Sequence, residues 1–139
     1  MTVHISILGV IMAALSAMII GSIYYSQAVV GKQWMKMIGI KDKEMKEKFG
    51  SVIVSLIVVS LVTAYVLSYF IAYTHAYEGG SWLRAGVVAS LLAWIGFGAT
   101  TIFAHGLFEP RDKKVLYINT GNRLLTLLAM GLILGAFMK

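Results

Sequence analysis

Tyr24, Tyr25, Ser26 and Gln27 stand at the end of one long apolar run, and His105, Glu109, Asn119, Asn122 and Arg123 stand at the edges of two others. Asn119, Asn122 and Arg123 are spaced i, i+3 and i+4, which puts them on one helix face; His105 and Glu109 are spaced i, i+4. Side chains of these types at membrane depth must face a bundle interior, pair with one another or line water. Arg123 needs an anion. Glu109 can supply one, as can a lipid phosphate or an anionic ligand, with the asparagine amides completing the hydrogen bonds. Tyr25, Ser26, Gln27, His105, Glu109, Asn119, Asn122 and Arg123 therefore form the candidate ligand site. The same residues also read as a structural ion pair with helix caps, since long polar side chains at helix ends snorkel to the interface.

Other chemistry is sparse. The chain has no cysteine, which excludes disulfides, thiolate metal sites and cysteine nucleophiles. The three histidines, His4, His75 and His105, show no metal-ligand spacing, and there is no phosphate-binding glycine loop or His-Glu-x-x-His pair. No metal and no cofactor is expected.

The elements that must position the cluster follow from composition. Of 139 residues, 59% are hydrophobic and 13% charged, whereas soluble domains are roughly 45 to 50% apolar. About 20 apolar residues cross a bilayer core. Four segments of that kind, about 5–27, 51–75, 82–105 and 115–138, predict one all-α integral membrane domain over 1–139, a four-helix bundle. The first run lacks the basic leading region of a secretion signal and reads as a span.

The net charge of +6 invites a nucleic-acid reading. Ten of the twelve Lys and Arg residues, however, fall in the two segments that flank these spans, Lys32 to Lys48 and Arg111 to Arg123. They read as topology signals: both basic segments cytoplasmic and both termini outside, without nucleic acid as partner. Trp34, Met35 and Ile38 recur at helical spacing among the lysines, so a short basic interfacial helix on anionic headgroups is expected between the first two spans.

Gly9, Ala13, Ala17 and Gly21 repeat every four residues, and Gly131 and Gly135 form a Gly-x-x-x-Gly pair. Such small-residue strips let helix backbones approach closely, and they predict a tight bundle and a homo-oligomer. Tyr65, Tyr69, Tyr73 and Tyr77 form a second stripe. It reads as interface packing, with the Tyr65 hydroxyl needing a partner from Thr63 or a neighbouring helix.

Tyr25-Ser26, Gly31-Lys32-x-Trp34-Met35, Trp94-x-Gly96-Phe97, Phe108-Glu109-x-Arg111 and Ile118-Asn119-x-Gly121 together span nearly the whole chain. In these motifs the chain resembles the bacterial membrane-protein family catalogued as domain of unknown function 1761. The resemblance implies a four-helix protein of the bacterial inner membrane and brings no established activity. Gln27 stands where a proline often follows the Tyr-Ser pair, which removes the usual cause of a helix break there. The leading functional expectation is a homo-oligomeric binding or structural membrane component. The alternative is an oligomeric transporter or channel, although the spans lack the buried carboxylate that proton-coupled exchange uses. The third is a lipid-modifying enzyme with His105 and Glu109 as acid or base beside Arg123, for which no nucleophile is evident.

Overall fold

The computed structural model describes residues 3–139. It contains five helices and, among the described residues, no strand. Helix α1 (Ile7–Tyr24) starts at Ser6, whose side chain accepts from the Gly9 N–H at 3.1 Å. It ends three residues before Gln27 without any proline. There the Gly31 N–H turns back to the Ser26 carbonyl at 2.9 Å, and the Val30 N–H reaches the Tyr24 carbonyl at 3.3 Å. A side chain at Gly31 would collide with the Tyr25 and Ser26 carbonyls, so the glycine permits the turn.

Helix α2 (Gly31–Ile38) follows and stops at Gly39, which is left-handed at φ 74°. Helix α3 (Asp42–Glu78) begins well before residue 51, where the apolar run starts, and its 37 residues extend about 55 Å. The charged stretch before the span thus joins the helix. It has no proline, and Asp42 and Glu44 sit in the first turn, where negative charge offsets the helix dipole. Two left-handed glycines, Gly79 and Gly80, reverse the chain, and the His75 ring stacks on Trp82 at 3.7 Å.

Helix α4 (Trp82–Gly106) is interrupted by a π-helical segment at Trp94–Ala99. Lys113 closes the next loop by donating to the Gly106, Leu107 and Glu109 carbonyls at 3.0, 3.2 and 3.0 Å. Helix α5 (Lys114–Phe137) completes the chain. Four helices, α1, α3, α4 and α5, are long and apolar enough to cross a membrane.

In the bundle α5 packs along α4 and α1, and α3 packs against α1 and α4. The centre holds Ala13, Ala64, Ile71, Ala89, Met130 and Leu134, all nearly inaccessible, while large apolar side chains such as Ile19, Val58, Leu92 and Leu125 cover the outside. This is the distribution of a protein solvated by hydrocarbon.

The closest approach is between α4 and α5. Gly86 lies against the backbone of Gly131, Gly131 against the Ser90 hydroxyl, and Gly135 against the Trp82 carbonyl. Ser90 Oγ donates to the Leu127 carbonyl at 2.8 Å within this seam. On α1, Ala13 and Ala17 are buried and Gly9 faces Phe137, but nothing lies near Gly21. The Tyr65 hydroxyl finds its partner on its own helix, the Tyr69 hydroxyl at 3.2 Å.

Substituting Gly131→Val forces the α4 and α5 backbones apart and is expected to cost more than about 2 kcal/mol, the overpacking range. Gly21→Val meets open space and is expected to change stability by less than about 1 kcal/mol. Detergent-denaturation midpoints of the two variants, compared with wild type, measure the difference.

Candidate functional site

The last residue of α1, Tyr24, and the Tyr25 that follows it reach the first turns of α5. Asn119 Oδ1 accepts from the Tyr25 hydroxyl at 2.8 Å and from Trp34 Nε1 of α2 at 3.0 Å. The Tyr25 and Trp34 rings lie 4.9 Å apart, and Tyr24 meets Tyr25 edge to face at 5.2 Å. Tyr24 donates to the Ile118 carbonyl at 2.8 Å, passing Gly121, where an added Cβ would lie 2.9 Å from the hydroxyl oxygen. Burial, with the neighbouring Tyr24 adding to it, pushes the Tyr25 hydroxyl up to about 12, so this group remains a protonated donor. One asparagine oxygen therefore pins α1, α2 and α5 together.

Arg123 belongs to a different place. It lines a cavity of about 610 Å³ whose walls come from α3 (with Thr63 and Phe70), from α4 (with Phe97, Gly98 and Thr101) and from α5 (with Leu127). Volumes of roughly 300–1,000 Å³ suit small-molecule ligands. The cavity lies beside the π-helical segment, which contains Phe97 and Gly98. Gly98 makes room for the arginine stem, since a Cβ there would sit 3.2 Å from Arg123 Cγ. π-Turns leave carbonyls without their usual i+4 donor and occur often at functional sites. Here Thr100 Oγ1 returns a bond to the Gly96 carbonyl at 2.7 Å, and Trp94 Nε1 crosses to the Thr120 carbonyl at 3.0 Å.

The ion pairs among the described residues are Arg84 with Glu78 at 3.8 Å and Arg111 with Glu109 at 3.6 Å. Arg123 is half-buried and is in neither. It stands nine residues past the start of α5, about 13 Å along the axis. Thr120 Oγ1 and Thr126 Oγ1, on either side of it in sequence, are buried with no hydrogen-bond partner, although neither residue lines the cavity. Buried polar atoms without partners are uncommon. A guanidinium without an ion-pair partner can give two parallel N–H donors to a carboxylate or phosphate.

The eight residues expected to form one site are thus distributed. Tyr25 and Asn119 meet directly. Ser26 contributes its carbonyl to the turn, Gln27 is exposed, and Asn122 sits on α5 between the two regions in sequence. His105 is exposed, and Glu109 pairs with Arg111 in the loop rather than with Arg123. The physical cause is that α4 ends at Gly106, so Glu109 is no longer one turn above His105, and the π segment shifts the register of the helix before it. Sequence spacing did not point to Trp34 as a partner of Asn119, or to Thr63, Thr101 and Phe97 as neighbours of Arg123. Trp34 had a signal, an indole N–H among lysines that needs an acceptor when buried; the cavity residues had none beyond the Gly96 and Gly98 pair.

A family model described as "Protein of unknown function (DUF1761)" matches residues 8–135, nearly the whole chain. Neither a curated protein nor a solved structure matches.

Asn119→Ala strands two donors at once and is expected to destabilise the bundle by about 2 kcal/mol or more, whereas Tyr25→Phe removes one hydrogen bond and costs about 1 kcal/mol. Unfolding titrations of both variants and of the double variant measure this, with a double-variant loss smaller than the sum. The sign with pH follows from the raised Tyr25 value: its contribution is full below the ordinary value of 10.0 and is lost as pH rises toward about 12. Wild-type stability therefore falls more steeply than that of Tyr25→Phe across this window.

Proposed function

As the chain belongs to the DUF1761 family, which carries no assigned activity, we propose that it is a small membrane component that binds an anionic ligand within its bundle and acts by binding rather than by turnover. The observation that supports this is Arg123, a cation inside a span, without a carboxylate partner among the described residues, at the wall of a cavity of about 610 Å³. A charge at such depth costs a few kcal/mol unless it is paired, and an anionic ligand supplies the pair. Among the described residues no His, Asp or Glu lines that cavity, and the proposal accordingly assigns it recognition.

The membrane arrangement that goes with this reading has both basic segments in the cytoplasm of a bacterium and both termini outside its inner membrane. Helix α2 lies on anionic headgroups, its Trp34, Met35 and Ile38 half-buried and its Lys32 and Lys36 exposed. The proposal keeps a homo-oligomer. The exposed first half of α3, with Val52, Val54 and Val58, is left to a second copy, since the small-residue seam of α4 and α5 is filled within one chain.

Native mass spectrometry of protein released gently from membranes tests the site. Wild type is expected to carry a reproducible extra mass that Arg123→Gln lacks, with the subunit count unchanged; equal mass in both refutes the reading. The absence of cysteine makes topology testable with single substitutions. Glu78→Cys is expected to react with an impermeant maleimide in intact cells, and Gln33→Cys only after permeabilisation.

A further inference from the structure

The cavity is chemically polarised along its length. Helices α4 and α5 run antiparallel, with Ser90 bonded to Leu127, Gly98 beside Arg123 and Trp94 bonded to Thr120. Helices α3 and α4 are also antiparallel, and Phe70 stacks on Phe97 with ring centres 6.4 Å apart. This register puts Thr63, Thr101 and Arg123 toward the end of the cavity nearest the α4–α5 loop, and Leu67, Phe70 and Leu127 toward the other. Helical side chains lean toward their own N-terminus, so the guanidinium is directed further toward the loop end.

The wall is also open on the membrane side. Phe97 is 68% exposed, and Val62, Val66 and Phe70 are exposed beside it. These large apolar side chains sit at hydrocarbon depth in two spans, so whatever enters between α3 and α4 comes from the acyl-chain region, not from water.

Resting on the reading of Arg123 as an anion site, we infer that the ligand is a single-chain anionic amphiphile, of the long-chain fatty acid class, taken up sideways from the bilayer. Its carboxylate is held by Arg123 with the Thr63 and Thr101 hydroxyls at the same end. Its chain lies along Leu67, Phe70 and Phe97. Charge complementarity selects the head, and the apolar half of the same cavity selects the tail. A free inorganic anion uses only the first of these, and a neutral ester uses only the second.

The test is photolabelling of the full-length protein in phosphatidylcholine nanodiscs with palmitic acid bearing a diazirine in the half of the chain next to the carboxylate. The label is expected on α3 and α4 around Phe70 and Phe97. Excess palmitic acid is expected to abolish it, while palmitic acid methyl ester and inorganic phosphate leave it intact. A charge-assisted carboxylate contact is worth about 1.5–3 kcal/mol, so Arg123→Gln is expected to cut labelling by about tenfold or more. Val66→Trp, at an exposed position of the wall, is expected to cut it with Arg123 intact, which keeps the test sound should Arg123→Gln fail to fold. Competition by the methyl ester as strong as by the acid, or label confined to other helices, overturns the inference. Displacement by phosphate, or an Arg123-dependent extra mass without photolabelling, overturns the amphiphile and leaves the anion site standing. Absence of both the label and the mass removes both.

Discussion

When two helices meet backbone to backbone, neither can rotate about its axis without a collision, and the rotation of α5 is set in this way. Gly86 and Ser90 of α4 lie against Gly131, and the Trp82 carbonyl against Gly135. The Ser90 hydroxyl bonds to the Leu127 carbonyl in the same seam. In a membrane this contact draws on dispersion and one shielded hydrogen bond, because hydrocarbon solvates apolar side chains as well as the bundle does. With that face of α5 committed to α4, Asn119 is presented to Tyr25 and Trp34, and Arg123 to the space bordered by α3 and α4. Both polar regions are consequences of one close approach.

The π segment of α4 sits directly above that approach, at Trp94–Ala99. A wider turn in lipid frees carbonyls that water cannot reach, so its presence requires local compensation. The bond from Thr100 Oγ1 to the Gly96 carbonyl supplies part of it. The indole of Trp94, anchored on the Thr120 carbonyl, holds the start of the segment to α5. What the irregular turn provides is room, since Gly98 brings a side-chain-free surface beside the arginine stem where a Cβ would press at 3.2 Å.

The four spans were legible in the sequence because hydropathy and length are properties of consecutive residues, and any helix in lipid must satisfy its backbone internally. The match of the family over residues 8–135 agrees with the resemblance carried by the Tyr-Ser, Gly-Lys-x-Trp-Met and Asn-x-Gly motifs. Boundaries were less legible. Helix α3 runs on to Asp42 because no proline between Asp42 and Ser51 breaks it, whereas α1 stops at Tyr24, ahead of a turn that Gly31 permits. The polar residues near the ends of the spans were legible as a set, and their grouping in space was not. The span of about 82–105 ends as expected, at Gly106, but Glu109 lies beyond it in the loop and pairs with Arg111 rather than with Arg123.

That redistribution bears on why an arginine stands at position 123 at all. Stability alone does not favour it there. A buried ion pair is at best near neutral against a well-packed apolar side chain, and a buried charge without a partner is worse. An apolar residue would serve the Leu127 side of the cavity, and a threonine would serve the Thr101 side, without placing a charge inside a span. Snorkelling relieves part of the cost, because the side chain leans toward the nearer end of α5. The adjacent elements nonetheless accommodate the side chain, with Gly98 beside its stem and Thr63 and Thr101 of two other helices in the wall of the cavity that it lines. On the proposed reading, the cost of that position is offset by the anion held when the cavity is filled, and the accommodating structure around Arg123 is what such a site requires.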